Sequence, residues 1–264
     1  MAADEQVLTG GNMSQVVRVG GTVRRKRGPW TPTIQRLLAH VRAKGVLWVP
    51  EPLGIDEAGR EVLSFIPGEV PHGMPTWIWS EAVLTDVAGA LRGWHDATSD
   101  FPAGNDTWGL PPSGPREVIC HHDFAPYNCV FRNGRFVGAF DFDLCAPGIR
   151  LWDLAYTAYR YVPLMPGPDS EPGAFEGEKS PFDAPVMGAR LESFLSAYGP
   201  VGGRAVYGPS DLLPVVIRRL HAIADWTEEY VRTHKAAALA EHAAMYRSHA
   251  DWIASRLPPG TLRS

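Results

Sequence analysis

The sequence predicts an α+β protein, with a small β-rich N-terminal part ahead of a larger, mainly helical one. Three observations predict it. Short β-prone runs punctuated by glycine pairs fill the first 68 residues. From Ile78 onward, apolar residues recur mostly at helical spacing. At mid-chain, N-C-V-F-R and R-F-V-G-A-F flank Asn133-Gly134, a hairpin signal set among carboxylates. The boundary belongs near Gly68, where F-I-P-G-E gives way to loop-like P-H-G-M-P, giving parts 1–68 and 69–264.

Composition narrows the class. A chain of 264 residues with 45% apolar and 20% charged content can bury one large core or two small ones. A net charge of −4 argues against nucleic acid as the main partner. No run reaches membrane-span length, and M-A-A-D-E-Q lacks the basic flank and apolar core of an export signal. With three cysteines, reduced thiols and a cytoplasmic setting are expected. Cys120, Cys129 and Cys145 lie near His121 and His122 but match no zinc-knuckle spacing, so core filling is expected of them.

Taken in order, residues 5–30 read as short strands with turns at Gly10-Gly11 and Gly20-Gly21. A glycine-rich loop between strands lets backbone N–H groups approach phosphates. T-V-R-R-K follows, and alternation allows only one of Arg24 and Arg25 to face a cleft. Thr31 to Lys44 predicts a helix with Thr31 as N-cap, an Ile34-Leu37-Leu38-Val41 stripe and Gly45 as its stop. Two strands around D-E-A-G-R come next, and a helix over Ile78–Ala97 that packs His95. Phe101–Glu117 is a Pro/Gly-rich loop, and a helix runs through Arg160 to a break at Pro163. Met165–Pro185 is an acidic surface insertion or a lid, and residues 186–257 are helical.

The hairpin sets geometry. With Asn133-Gly134 as a two-residue loop, Arg132 faces Arg135, Phe131 faces Phe136 and Asn128 faces Ala139. Asn128 and Asp141 then share a face as diagonal neighbours, roughly 7–8 Å apart. Oxygen ligands at that spacing suit magnesium, which takes few protein ligands and keeps room for water and phosphate. Asp123, just ahead of the strand, can reach a substrate hydroxyl beside the metal.

H-H-D-F-A-P-Y-N, F-D-F-D-L-C-A and W-D-L-A resemble the H-G-D-x-x-x-x-N, I-D-[FW]-x-x-A and D-L-A pattern of the aminoglycoside phosphotransferase-like small-molecule kinases. The resemblance implies a bilobal protein-kinase-like fold, with 1–68 as nucleotide lobe and 69–264 as catalytic and substrate lobe. It implies Asp123 as catalytic base, Asn128 and Asp141 as magnesium ligands, and ATP or GTP as donor to a small-molecule hydroxyl. It makes Arg24 the phosphate grip, with Arg25 as the alternative, and puts the nucleotide base against backbone groups of Ser64, Phe65 and Ile66. His121 and Asp153 become loop-bracing groups. Asp225, Trp226 and Glu229 form an acidic-aromatic cluster suited to an ammonium-bearing sugar. An antibiotic is the first acceptor expected; a metabolite alcohol or sugar, or a non-catalytic nucleotide-binding module, are the alternatives. Three departures stand out. His122 replaces glycine, which suggests a differently shaped loop, Asp143 adds an acid, and the 31–44 helix has no glutamate for the phosphate-gripping residue.

Overall fold

The computed structural model describes residues 5–8, 16–71, 73–102, 104–165, 180, 182–203, 206–234 and 239–257. The Gly10-Gly11 turn and most of the Met165–Pro185 stretch fall outside them. Two compact units emerge, one of Met1–Gly73 with Gly93–Arg150, the other of Met74–Arg92 with Leu151–Ser264. The boundary expected near Gly68 falls inside the first unit.

The first unit opens with β1 (Glu5–Leu8), β2 (Val16–Val19) and β3 (Thr22–Arg25), followed by α1 (Thr31–Ala43), β4 (Pro52–Ile55) and β5 (Glu61–Ser64). The strands form one antiparallel sheet in the order β1-β2-β3-β5-β4. Val19 pairs with Thr22 across the Gly20-Gly21 turn, where Gly20 takes φ +59°. In α1, Ile34, Leu37, Leu38 and Val41 are all fully buried, each worth about 2 kcal/mol of transfer free energy. Thr31 proves to be the first helical residue rather than the cap. Its hydroxyl instead accepts the Gly28 N–H at 3.0 Å, and Trp30 takes the cap position without a side-chain bond.

Two further ribbons complete this unit: β6 (Val118–Cys120) pairs with β9 (Ala146–Gly148), and β7 (Cys129–Arg132) with β8 (Arg135–Ala139). Asn133 and Gly134 both take positive φ, +52° and +67°, as a type I′ turn requires. The expected register holds for Arg132–Arg135 and Phe131–Phe136 and then slips. A bulge at Val137 makes Val130 face Gly138 and Cys129 face Ala139. Gly138 fits there because a Cβ would lie 2.8 Å from both the Ile66 side chain and the Trp48 carbonyl. Beneath the ribbon, Trp48 packs against Trp94, Phe124 and Phe136. Cys120, Cys129 and Cys145 are fully buried and joined in no disulfide, filling the core as expected.

The second unit is helical. It holds the first part of α2 (Glu81–Thr98), nearly all of α3 (Arg150–Tyr161), and α4 (Ala184–Tyr198), α5 (Pro209–His234) and α6 (Ala240–Ala254). Buried Arg190 of α4 donates to the carbonyls of Trp79 at 2.6 Å and Tyr161 at 2.8 Å, closing the end of α3. Tyr159 of α3 bonds to His249 of α6 at 2.7 Å. No described helix is long and apolar enough to cross a membrane.

Candidate active site

The candidate site lies wholly in the first unit and is built on the loop between β6 and β7. His121 is fully buried against Trp94, Phe124 and Phe142, and its Nδ1 accepts the Asp123 N–H at 3.3 Å. Next to it, buried His122 takes φ +67°, in the left-handed region that glycine occupies at little cost. The loop therefore holds a histidine in a backbone geometry that favours glycine. Holding a histidine in this region costs about 1 kcal/mol, which the surrounding packing must offset.

Asp123 is gripped at both oxygens. Asn128 donates from Nδ2 to Oδ2 at 2.8 Å and to the Asp123 carbonyl at 3.0 Å. Tyr127, 40% exposed, donates its phenol to Oδ1 at 2.6 Å. With Nδ2 turned toward Asp123, the amide oxygen of Asn128 faces the opposite way. The β8 bulge decides what Asn128 stands beside. Its carbonyl accepts the Phe140 N–H at 2.9 Å, one residue from Asp141, so the two site residues are closer in register than the unbulged hairpin implied.

Asp141 takes φ +63° at the end of this ribbon. Burial of its surroundings, then the charges of Asp143 and Asp123, raise its pKa to about 6, although Arg25 pulls the other way. Water still reaches 51% of its side chain, so screening weakens this push. Asp143 is anchored on both sides. Its Oδ1 accepts Arg25 Nη2 at 2.6 Å, while a Cβ on Gly109 would lie 1.8 Å from its carbonyl, so only glycine can pack there.

Of the two strand arginines, the structure turns Arg25, the alternative choice, toward the carboxylates. Arg24 faces the other side of the sheet, bonded to the Thr22 hydroxyl and 3.6 Å from Asp56. Arg25 Nε lies 2.6 Å from Glu61 Oε2 and Nη1 lies 3.7 Å from Asp141 Oδ1. Burial opposes the charge of Arg25, but Asp143, Glu61 and Asp141 outweigh it and hold its pKa above the ordinary arginine value. The acid that sequence reasoning sought on α1 comes from β5, where Glu61 is fully buried directly opposite Arg25. Helix α1 contributes Gln35, whose Nε2 donates to Glu61 Oε1 at 2.8 Å.

Glu61, Gln35 and Tyr127 were missed in the sequence. Tyr127 sat inside the quoted motif, whereas Glu61 carried one signal, an acid in a strand whose other residues are mostly apolar. The remaining expected residues belong to other elements. Ser64 and Phe65 spend their amides on Glu51 and Gly21, each at 2.9 Å, and Ile66 covers Gly138. Asp153 is fully buried in the first turn of α3, in the second unit. On α5, Asp225 pairs with Arg247 at 2.9 Å, Glu229 with Arg232, and Trp226 stacks on Tyr230.

Asp141, Asp143 and Glu61 thus gather around the Arg25 guanidinium, and Asp123 adds its charge beside Asp141. Among the described residues, no three His, Cys, Asp or Glu side chains form a ready metal cage. A hard divalent cation still fits. Magnesium needs only one or two protein oxygens, and the negative charge of Asp143 and Asp123, which adds to burial in raising Asp141, is what such an ion relieves.

Residues 99–168 match the phosphotransferase enzyme family. That span holds the whole loop and ribbon just described, and it bears out the resemblance drawn from the motifs. The trifolitoxin immunity protein of Rhizobium leguminosarum bv. trifolii is 42% identical over 151 residues, covering 54% of this chain and 57% of the relative, so the match spans little more than half of that protein. A choline/ethanolamine kinase family protein from Mesorhizobium loti shares the fold with a TM-score of 0.63, at 17% identity over 97% of this chain and 90% of that one. APH(2″)-IIia, known in complex with GDP and kanamycin, shares it with a TM-score of 0.60, at 12% identity over 97% and 95% of the two chains. The α+β, protein-kinase-like fold is the one these chains have in common.

Proposed function

We propose that this chain is a magnesium-dependent phosphotransferase that moves the γ-phosphate of ATP or GTP to a hydroxyl of a small molecule. The observation that carries the proposal is the meeting of Asp123, Asn128, Asp141 and Arg25 in one unit, inside the segment that matches the phosphotransferase family. Asp123 accepts the proton of the acceptor hydroxyl as its oxygen bonds to phosphorus. Tyr127 and Asn128 hold that carboxylate in place. Asn128, through its amide oxygen, and Asp141 are the residues that would hold magnesium, which when bound would neutralise charge on the phosphoryl oxygens. Arg25 takes the phosphate-gripping role first given to Arg24. The nucleotide base meets the 64–66 segment chiefly at Ile66, because the amides of Ser64 and Phe65 are engaged within the protein. In this reading residues 1–68 serve the nucleotide and 69–264 the chemistry and the acceptor.

For the acceptor, an antibiotic or toxin is favoured over a metabolite alcohol. The support is the relative named as an immunity protein, and the kanamycin bound by a chain of the same fold. Asp225 and Glu229 would join an ammonium-bearing acceptor only by exchanging it for Arg247 or Arg232. A cytoplasmic setting supplies the triphosphate and suits three reduced thiols. The test is a transfer screen with Mg-ATP and Mg-GTP against antibiotics and small alcohols, read by the mass of one added phosphoryl group. Turnover that Asp123→Ala lowers at least a thousandfold is expected. Turnover untouched by Asp123→Ala, or nucleotide binding with no acceptor modified, would overturn the enzymatic reading in favour of a binding module.

A further inference from the structure

The conserved chemistry of kinase phosphate grips pairs a strand cation with a helix glutamate. Here α1 offers no acid. We propose that Glu61 and Gln35 are positioning residues that aim Arg25 at the phosphates of a bound nucleoside triphosphate, so that a strand carboxylate does the work of the missing helix glutamate. The inference rests on the phosphotransferase reading above.

The geometry is a chain of directed bonds. The Gly54 N–H of β4 donates to Gln35 Oε1 at 3.2 Å. Gln35 Nε2 donates to Glu61 Oε1 at 2.8 Å, and Arg25 Nε donates to Glu61 Oε2 at 2.6 Å. Both oxygens of a fully buried carboxylate are therefore occupied, which fixes the plane of Glu61. A guanidinium is a rigid planar fork, so holding its Nε also sets the direction of both terminal nitrogens. Those nitrogens point at Asp141 and Asp143. They stand where a phosphate and its cation would meet the two acids. A lysine in this place would hold Glu61 and phosphate from one freely rotating ammonium, without the fixed direction that a planar fork gives its second edge.

A plain sheet-stabilising ion pair would share the first contact but not the consequence. Removing Glu61 would then weaken the whole nucleotide site evenly. Aiming predicts a selective loss, confined to ligands that carry phosphates.

The test measures binding of ATP, ADP and adenosine, and of the guanine series, to the full chain with magnesium by titration calorimetry. The chains compared are the parent, Glu61→Gln, Gln35→Leu and the exchange variant Gln35→Glu with Glu61→Gln. For Glu61→Gln we expect triphosphate affinity to fall about tenfold with nucleoside affinity within twofold. Gln35→Leu should give a smaller loss in the same direction, and the exchange variant should regain part of it. Equal losses for triphosphate and nucleoside, or none, overturn the proposal while the enzymatic reading stands. If Glu61→Gln fails to fold, the same comparison with Gln35→Leu decides. A parent chain that binds no triphosphate removes the phosphotransferase reading and this inference with it.

Discussion

Asp141 shows at the scale of one residue how a reactive site costs stability. Its pKa rises from 3.8 to about 6, chiefly by burial and then by Asp143 and Asp123. The folded state therefore binds its proton more tightly than the unfolded chain does. Stability is greatest on this account below pH 4, declines as pH rises through 6, and stays at the lower level above. Removing the charge with Asp141→Asn should raise the metal-free melting temperature at pH 8 by a few degrees, with no gain at pH 4. After allowance for the half-exposed side chain this corresponds to about 1 kcal/mol. Thermal melts at the two pH values decide it, and an equal gain at both would mean the charge is not the cause. Magnesium binding should weaken as pH falls through 6, since proton and cation compete for the same carboxylate. Tyr127 makes the complementary case. Its phenol is exposed, so Tyr127→Phe should change stability by less than about 0.5 kcal/mol. Asp123 loses one of its two side-chain holders, and turnover should drop severalfold at unchanged nucleotide KM. A melting shift matching the kinetic loss would assign Tyr127 to packing instead.

The β7–β8 ribbon is the element whose details decide the site. Gly138 lies where any side chain would strike Ile66 and the Trp48 carbonyl at 2.8 Å, and it sits next to the bulge. Gly138→Ala should cost about 1–3 kcal/mol, seen as a lower denaturation midpoint, because the ribbon must move off the sheet. A neutral result would show that the ribbon has room to shift. This element also marks how far the sequence could be read. The type I′ turn was legible, since Asn-Gly is a local signal, and so was the grouping of Asp123, Asn128 and Asp141 around it. The bulge was not, because it arises from packing against Trp48 and Ile66, more than 70 residues earlier in the chain. Which of Arg24 and Arg25 meets the carboxylates was not legible either, for the same reason. Alternation guarantees that one faces the cleft, but which one depends on where β5 lies and on Glu61, 36 residues from Arg25. Local chemistry was visible in the sequence, while parity and partner were set by tertiary contacts.

At the scale of the whole molecule, the first unit is assembled from two separate stretches of chain, and the candidate site belongs to both. Arg25 and Glu61 come from the N-terminal stretch, Asp123, Asn128, Asp141 and Asp143 from the later one. The matching segment 99–168 has the second set alone. The sheet region also supplies the packing beneath the ribbon. Trp48 covers Phe124 and Phe136, its carbonyl accepts the Ala139 N–H at 3.3 Å, and the Pro67 carbonyl takes Arg132 at 2.8 Å. Cutting at Gly68 would thus expose aromatic rings and leave Asp141 and Asp143 without their cation. A fragment of residues 69–264 should lose the cooperative melting of the parent and bind no Mg-ATP or Mg-GTP, although it carries every residue of the catalytic loop. Adding residues 1–68 as a separate chain should restore part of both, because the lost contacts are non-covalent. Circular dichroism melts and nucleotide titrations on the fragment, alone and mixed, test this. A fragment that folds cooperatively and binds triphosphate without its partner would show that the later stretch forms its own core and that Arg25 is dispensable for the grip.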